Sequence, residues 1–381
     1  MRRKRVTVPP VADPWIRGWG QTPYIKRPDS SLTLLDLFKD AVEKALNSSH
    51  ISLHEIDGLA VSSFTLAPDK AIDIAVKFGI KLRWIMDGAT GGASGVDMLQ
   101  HARHAIREGS ASNILILAGD LFQPKDFLDL VENYNAWAQE FLSPLGIAGP
   151  NPLFALLTSI QMERLGIDKS VYGQIVIKQR EWANGNPSAL YREPMTLEQY
   201  LSAPEISAPL NLYDCVPVVS GASAVIMSAQ SEGSIALTQA MANHNFDSQM
   251  GDGTHTGLSE IAGEFWRRAE LTPSDIDFLS LYDDYPAIVL AQLIDLGFID
   301  PHNVKVSLTQ FLFNSKTRLN SSGGQLSCGQ NGAGGGLHGI LDVLNGLAQD
   351  PQARFGVASG YGMVSYRYGA CANLALFEVK R

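Results

Sequence analysis

The chain contains 381 residues, of which 45% are hydrophobic and 18% are charged, and its formal net charge at pH 7 is −9. This length predicts two closely packed domains or one duplicated domain, and the composition excludes an intrinsically disordered chain. The negative net charge argues against a general nucleic-acid or anionic-membrane binder, because such binding needs a basic surface.

The first half of the chain predicts helices and strands in alternation. Apolar residues spaced i, i+3, i+4, i+7 and i+8 over residues 38–46 predict a helix with one buried face. An acidic turn and an apolar run over 51–61 predict a strand. The glycine-rich segment 91–95 then leads into a helical pattern, and the apolar run 113–118 predicts a central strand that is buried on both faces.

The second half of the chain repeats this order. At an offset of 220 residues, 258–266 carries the same helical spacing and 271–281 carries the same acidic turn and apolar run. At an offset of 241 residues, the glycine-rich segment 332–336 overlies 91–95 and again leads into a helix and a strand, the latter at 355–359. The repeat indicates a duplicated α/β architecture.

The alternation of helices and strands predicts two layers of largely parallel sheet covered by helices. We place the two halves at residues 1–230 and 231–381. An insertion at about 121–210 has no counterpart in the second half, and long insertions often form lids or walls of binding sites. Glycines at the start of a helix allow close packing and direct free backbone N–H groups toward an anionic centre.

Several features bear on location and metal binding. The basic segment 1–5 is followed by no apolar core, so we expect a solvated arm rather than a signal peptide, and no apolar run approaches the roughly 20 residues of a membrane span. The three cysteines at 215, 328 and 371 form no CxxC pair, which argues against disulfides or structural zinc and favours a reducing cytoplasm. The histidine pairs lack the HExxH pattern, and we predict no metal site.

Motifs along the chain point to a known family. Residues 19–24 resemble a Gly-x-Thr-x-Tyr opening segment, and residues 186–192 and 208–210 resemble the loop that leads into an Asp-Cys-x-Pro strand, here 214–217. Together they resemble the thiolase superfamily, in its sterol-carrier-type or lipid-transfer-protein, thiolase-like branch. The resemblance covers nearly the whole chain. It implies duplicated βαβαβαββ halves in a five-layer αβαβα arrangement, with the two glycine-led helices back to back at the centre.

The resemblance implies that each thiolase catalytic motif is altered. The nucleophile motif Cys-Ala-Ser-Gly reads 92–95 here, so Gly92 stands at the thiolate position and covalent acyl-cysteine chemistry is excluded. The Asn or His motif after a strand reads 282–285 and begins with Tyr282. The Gly-His-Pro segment reads 329–331, which replaces a base by the amide of Gln330. The C-terminal motif reads 358–362 and lacks its cysteine.

Members of this branch without the cysteine are retro-aldolases, which cleave a β-hydroxyacyl-CoA into a carbonyl compound and a shorter acyl-CoA. This reaction needs a base, enolate stabilisation and an acid, but no nucleophile. We predict Tyr282 beside Asp283 as the base, provided that cationic or hydrogen-bonding neighbours lower its pKa of about 10. Tyr361 is the candidate acid in place of the missing second tyrosine, and Gln330 completes the predicted catalytic set.

A coenzyme A thioester is the predicted substrate, with no covalently bound cofactor. Backbone amides around Gly92 and Gly360 are expected to hold the thioester oxygen. Asn320, with 322–324, resembles the family's Asn-x-x-Gly-Gly segment. The remaining members of the predicted oxyanion and substrate-binding set are Ser94, Asn331 and His338, the last in a core or CoA-adjacent position.

Other interpretations stay open at this point. Tyr282 and Tyr285 could be core aromatics, and Asp283 and Asp284 could be helix-start acids, with Asp283 the better functional candidate. Cys328 is a small packing residue by default, with a reactive thiol as the alternative. The altered Gln330 favours a non-catalytic thiolase-like subunit of a heteromeric complex, and acyl transfer directly from CoA is a third possibility.

The resemblance also implies protein partners. Thiolases dimerise, and we expect a homodimer formed through the strand that follows the first glycine-led helix. This branch often binds a small zinc-ribbon plus oligonucleotide-fold protein that completes the acyl-CoA site. Such a partner would account for the absence of an evident basic patch for CoA phosphates in the sequence.

Overall fold

The computed structural model describes residues 13–123, 130, 135–147, 149–230, 234–365 and 367–380, so the basic segment 1–5 lies outside the described residues. The strands are β1 Trp15–Gln21, β2 Gly58–Ser62, β3 Trp84–Asp87, β4 Asn113–Asp120, β5 Glu205–Ser207, β6 Leu210–Asn211, β7 Gly221–Ser228, β8 Ile235–His244, β9 Phe278–Ser280, β10 Arg318–Leu319, β11 Phe355–Val364 and β12 Gly369–Val379. The α-helices are α1 Leu34–Ser49, α2 Ala71–Phe78, α3 Ser94–Arg107, α4 Asn151–Leu165, α5 Lys169–Asn184, α6 Leu197–Leu201, α7 Leu258–Ala269, α8 Pro286–Asp295, α9 Val304–Asn314, α10 Gly324–Cys328 and α11 Gly335–Gln349. In this described part of the chain, no helix is both long and apolar enough to cross a bilayer.

The duplication predicted from the sequence is present at the level of single turns. A 3₁₀ turn at Leu53–Glu55 and another at Pro273–Asp275 lie 220 residues apart, and each begins with a capping box. Such a box satisfies two backbone N–H groups at the start of a turn. The predicted βαβαβαββ order is confirmed for the first half, which runs β1-α1-β2-α2-β3-α3-β4 and, after the insertion, β7.

Ten of the described strands form one sheet whose order is β10-β9-β11-β12-β8-β1-β7-β4-β2-β3. The order is symmetric about its centre, where β8 and β1 are joined by two residue pairs, Trp15 with Ala236 and Ile16 with Ile235. The proposed division near residue 230 falls between β7 and β8. The prediction of largely parallel sheets is wrong, because β4 and β1 pair with β7 in antiparallel orientation, as do β11 and β8 with β12. In the first half β7, and in the second half β12, thus runs antiparallel to both of its neighbours.

The two glycine-led helices, α3 and α11, cross at the centre of the molecule. A Cβ placed on Gly95 would collide with the backbone carbonyl of Gly336, so only glycine permits this approach. Leu99 and Leu337 lie in the same buried cluster, between the helices and the sheet. This back-to-back arrangement, which the resemblance implies, brings the N-terminal ends of both helices to one region.

The insertion forms helices that pack on the second half of the chain. Tyr172 of α5 donates a hydrogen bond to Gln161 of α4 at 2.9 Å, and the Gln161 amide donates to the backbone carbonyl of Ala287 in α8 at 3.2 Å. These side chains are buried. The insertion therefore holds the start of α8, which lies directly after the segment 282–285.

The strand expected to form the dimer contact is not available for it. β4, which follows α3, pairs with β2 on one edge and β7 on the other, and all its residues are buried. A central strand has no free edge with which to pair. The sheet ends instead at β3, where Ile85 is 45% exposed beside the exposed Ile72 and Val76 of α2.

Candidate active site

A cavity of about 360 Å³ lies where the two halves and the insertion meet. Its walls are mainly aromatic and aliphatic, and include Phe64, Phe122, Leu142, Phe154, Val216 and Ile288. The polar side chains that face it include Tyr282, Asp284, Tyr285, Gln330, Tyr361 and Ser365. A concave apolar site with a few converging polar groups is the usual form of a small-molecule site.

Gly92 and Tyr282 form the floor of this cavity. A Cβ placed on Gly92 would overlap with Cζ and Oη of Tyr282. The phenol therefore fills the volume that a side chain at residue 92 would need. The structure brings together the position that thiolases use for their nucleophile and the tyrosine of segment 282–285.

Tyr282, Ser359 and Gln292 are joined in a closed ring of three hydrogen bonds that fixes the Tyr282 backbone. The Tyr282 N–H donates to Ser359 Oγ at 3.0 Å, Ser359 Oγ donates to Gln292 Oε1 at 2.5 Å, and Gln292 Nε2 donates to the Tyr282 carbonyl at 2.8 Å. All three residues are buried. Satisfied buried networks of this kind hold a group in one orientation.

Asn320 holds the backbone of Leu281, the residue before Tyr282, in the same way. Its side chain accepts a bond from the Leu281 N–H at 2.8 Å and donates to the Leu281 carbonyl at 3.1 Å. Asn320 is fully buried, adopts a left-handed backbone with φ of 45°, and does not line the cavity. It therefore positions Tyr282 through Leu281 rather than by contact with a ligand.

The phenol of Tyr282 contacts two polar side chains. Tyr282 Oη donates to Asp284 Oδ2 at 3.0 Å, and Gln330 Nε2 lies 3.4 Å from Tyr282 Oη. Gln330 is itself held by Gly332, whose N–H donates to Oε1 at 3.0 Å and whose carbonyl accepts from Nε2 at 3.1 Å. Among the described residues that line the cavity there is no Lys, Arg or His, so the cationic neighbour considered for Tyr282 is not found there.

The structure separates the two aspartates of this segment. Asp283 points away from the cavity and accepts bonds from the backbone N–H groups of Gln325 at 3.0 Å and Leu326 at 3.3 Å, at the start of α10. Burial raises the pKa of Asp283 to about 6, against the effect of these bonds. Asp284 lines the cavity, and burial raises its pKa to about 7, with a further contribution from the Asp283 charge.

The backbone of β11 approaches the start of the first glycine-led helix. A Cβ on Gly360 would lie 3.0 Å from the Gly92 carbonyl oxygen, and one on Gly362 would lie 2.6 Å from the Gly92 nitrogen. Gly92 and Gly360 are therefore close neighbours. Gly362, rather than Gly360, lines the cavity beside Gly92.

Tyr361 and Tyr285 both face the cavity and both have fixed hydroxyl groups. Tyr361 Oη accepts a bond from the Gly369 N–H at 2.7 Å, which directs the oxygen toward β12. Tyr285 donates to Asn151 at 2.5 Å and stacks on Phe154 with ring centroids 4.3 Å apart. Burial raises the pKa of both phenols above the ordinary value, so both are neutral at physiological pH.

Three further predicted site residues lie outside the cavity, in addition to Asp283, Asn320 and Gly360. Ser94 is buried, and its Oγ accepts a bond from the Thr90 N–H at 3.0 Å. Asn331 is fully buried and points toward the glycine turn 332–334, where a Cβ on Gly334 would overlap with its side chain. His338 lines a separate groove, which we describe next.

A polar groove of about 740 Å³ contains His338. His338 Nδ1 lies 3.0 Å from Tyr24 Oη and Nε2 lies 3.2 Å from Ser322 Oγ, and burial lowers its pKa to about 4. Cys328 lines the same groove, donates to the Ser322 carbonyl at 3.3 Å, and is buried, which raises its pKa above the usual range. A protonated, hydrogen-bonded thiol is a poor nucleophile. The described residues contain no group of three or more His, Cys, Asp or Glu that could hold a metal.

Several residues that shape the site had no motif in the sequence to reveal them. Gln292 and Ser359 are polar residues in apolar runs, which is the only signal of their buried roles. Asp120 at the end of β4 accepts a bond from the Ala333 N–H at 2.7 Å. The anionic centre expected at the start of the second glycine-led helix is thus this carboxylate.

Comparison with known proteins agrees with this geometry. Residues 239–368 match the family Thiolase C-terminal domain-like. The structure of an "Ltp2-ChsH2(DUF35) aldolase" superimposes with a TM-score of 0.82 over 97% of this chain and 98% of that one, at 21% identity. The C-terminal part of the chain is thus similar to the thiolase C-terminal domain, and the fold of the chain is that of this structural neighbour. The predicted fold class is confirmed by the same superposition.

Two curated relatives carry names that state a lyase or an aldolase activity. The "17-hydroxy-3-oxo-4-pregnene-20-carboxyl-CoA lyase" of Mycobacterium tuberculosis is 26% identical over 88% of this chain and 90% of its own length. The "Steroid side-chain-cleaving aldolase" of Thermomonospora curvata is 26% identical over 88% of both chains. The sequence-based resemblance to the sterol-carrier-type branch is confirmed.

Proposed function

We propose that this protein is a CoA-dependent carbon–carbon lyase, which cleaves a β-hydroxyacyl-CoA with a bulky apolar acyl group by a retro-aldol reaction. The position of the Tyr282 phenol carries the proposal, because it fills the volume of the thiolase nucleophile. The names of two curated relatives, a CoA lyase and an aldolase, support the same reaction class. The apolar walls of the cavity suit a bulky apolar substrate.

In the proposed reaction, the thioester oxygen is held by backbone N–H groups near Gly92 and Gly362. A donor placed against a developing oxyanion contributes about 2.7–4 kcal/mol to its stabilisation. Tyr282 accepts the proton of the β-hydroxyl group, the Cα–Cβ bond breaks, and an enolate of the shorter acyl-CoA forms. Gln330 lies near enough to donate to the Tyr282 oxygen as charge develops there.

The test is direct product analysis. Purified protein is incubated with a panel of β-hydroxyacyl-CoA esters, and the carbonyl product and the shorter acyl-CoA are quantified by mass spectrometry. We expect Tyr282→Phe to lower kcat at least 100-fold, since general acid–base catalysis typically contributes 10²–10⁴-fold. Tyr172→Phe is the matched control, because it removes the same atom from a buried hydrogen bond to Gln161 outside the cavity.

The same assay separates the two other interpretations. A silent subunit would bind the CoA esters without releasing either product. Direct acyl transfer would release free CoA, whereas retro-aldol cleavage keeps the thioester intact. If Tyr282→Phe cleaves the substrate at the wild-type rate, Tyr282 is not the base.

We also propose that the protein forms a homodimer through the edge strand β3. We propose that it does not bind nucleic acid. Ile72, Val76 and Ile85 are exposed at the β3 edge, and an apolar edge of this kind is rarely left unpaired. Val76→Asp should shift the mass measured by light scattering from dimer to monomer. Val306→Asp, at an exposed position on α9, is the control.

A second partner is proposed on the strength of the resemblance, a small protein with a zinc ribbon and an oligonucleotide fold. The two-component name of the structural neighbour, "Ltp2-ChsH2(DUF35) aldolase", supports it. Cleavage should therefore be measured with and without the product of a neighbouring gene. The expected cytoplasmic location stays a prediction.

A further inference from the structure

The base assigned to Tyr282 lacks an obvious means of ionising. A free phenol has a pKa of about 10, and Asp284, which accepts the Tyr282 hydrogen bond, is a carboxylate rather than a cation. A negative charge next to a phenol disfavours the phenolate. Tyr282 can therefore accept a proton from a substrate only if its own proton leaves in the same step.

Asp284 is placed to take that proton. Tyr282 Oη donates to Asp284 Oδ2 with 3.0 Å between the two oxygens, so the hydrogen bond along which the proton would move is already formed. Asp284 Oδ1 is out of contact with solvent and has no hydrogen-bond partner among the described residues. An unpaired buried acceptor is unfavourable, and a donor brought in by a ligand would satisfy it.

We propose that Tyr282 and Asp284 form a proton-relay pair, in which Asp284 acts through Tyr282 and replaces a separate acid. The inference rests on the proposed lyase function. The β-hydroxyl proton moves to Tyr282 Oη while the Tyr282 proton moves to Asp284 Oδ2. The electrons of the O–H bond form the carbonyl, and those of the Cα–Cβ bond form the enolate.

The second half of the reaction returns the proton. The protonated Asp284 gives it back to Tyr282 as Tyr282 protonates Cα of the enolate, so the pair ends in its starting state. Proton and electron counts balance without any cofactor. This explains how the site can operate with Gln330, which cannot carry a proton, and with Tyr361 bonded to β12.

The titration of Asp284 agrees with a relay. Burial and the charge of Asp283 raise its pKa to about 7, while the bond from Tyr282 acts in the opposite direction. A group that titrates near the working pH can both accept and return a proton. The other titratable side chains that line the cavity are Tyr285, Tyr361 and Cys215, and all three are neutral at this pH because burial raises their pKa values.

The deciding variant is Asp284→Asn, which can still accept the Tyr282 hydrogen bond but cannot take its proton. We expect kcat to fall at least 100-fold with KM within threefold of wild type. Wild-type kcat should decline as pH falls below about 7, where Asp284 is already protonated, and this limb should vanish in Asp284→Asn. Asp284→Glu should recover part of kcat.

The control is Asp342→Asn. Asp342 is also buried with a pKa raised to about 6, but it does not line the cavity and accepts a hydrogen bond from Ser321 Oγ at 2.8 Å. Its replacement should leave kcat and the shape of the pH profile unchanged. A loss in both variants with equally lowered stability would indicate a structural effect and would overturn the relay.

A second measurement separates the relay from the lyase function. The exchange of the α-protons of propionyl-CoA with solvent deuterium reports the protonation step alone. If wild type cleaves the substrate and Asp284→Asn cleaves it at the same rate, the relay is refuted and the lyase function stands. Exchange that depends on Asp284 without cleavage of any β-hydroxyacyl-CoA would support the relay and refute the lyase. Neither cleavage nor exchange would refute both.

Discussion

The ring of Tyr282 occupies the space above Gly92, so each of these two residues determines what the other can be. A side chain at residue 92 and a phenol at residue 282 cannot coexist without displacement. The glycine at residue 92 and the tyrosine at residue 282 are thus sterically linked.

Restoring a cysteine at residue 92 should therefore not restore a thiolase. We expect Gly92→Cys and Gly92→Ala to lower the free energy of unfolding by about 1–3 kcal/mol, the usual cost of overpacking. In a Tyr282→Ala background the cost of Gly92→Ala should be smaller, because the ring is gone. Urea denaturation of the four members of this double-mutant cycle measures the coupling. Additive effects would show that the ring moves aside freely.

Tyr361→Phe tests whether the hydroxyl of Tyr361 serves structure or catalysis. The substitution leaves the N–H of Gly369 without its acceptor, which should cost about 1–3 kcal/mol of stability. We expect kcat to stay within threefold of wild type. Thermal denaturation and product release, measured on the same preparation, check both numbers. A 100-fold loss of kcat at unchanged stability would instead make Tyr361 the acid.

The sequence was a good guide to the scaffold because duplication leaves a pattern in apolar spacing. Residues 38–46 and 258–266 show the same helical face, and both lie in helices of the structure. Strand direction was predicted less well, because the antiparallel strands β7 and β12 are as apolar as parallel central strands. Burial on both faces gives one composition for either orientation.

The floor of the site could be placed from motifs, since Gly92 and Tyr282 stand at recognisable positions. The different positions of Asp283 and Asp284 could not be predicted from motifs. The two are adjacent and identical in type, and only the three-dimensional path of α10 shows that Asp283 caps a helix while Asp284 faces the cavity. The buried ring through Gln292 and Ser359 joins residues 77 positions apart, which no local pattern reports.

Asn320 offers a test of how closely Tyr282 must be held. Asn320→Gly removes both bonds to Leu281 but tolerates the left-handed backbone, whereas Asn320→Ala loses the bonds and adds backbone strain. We expect both variants to lower kcat more than they raise KM, and the alanine variant to be less stable by about 1 kcal/mol or more. Denaturation curves and steady-state kinetics provide the comparison. Equal stability would mean that the backbone relaxes at this position.

His338 should make the protein sensitive to acid. Its pKa is lowered by burial from 6.5 to about 4, so the folded protein resists a protonation that the unfolded chain accepts. Its contribution to stability is present above pH 6.5 and is lost as the pH falls from there through 4. At 1.36 kcal/mol per pH unit, the loss approaches about 3 kcal/mol.

The buried carboxyl groups act in the opposite direction, which is why a variant is needed. Asp283 and Asp342, whose pKa values are raised to about 6, favour folding most below pH 3.8, and this contribution is lost as the pH rises through 6. Both wild type and His338→Gln contain these carboxyl groups, so their contributions cancel in the difference between the two unfolding free energies. We expect that difference to shrink between pH 6.5 and 4, as measured by urea denaturation, with His302→Gln as the exposed control. A difference that is constant with pH would mean that His338 is protonated in the folded protein, bonded to Tyr24 and Ser322 as a cation.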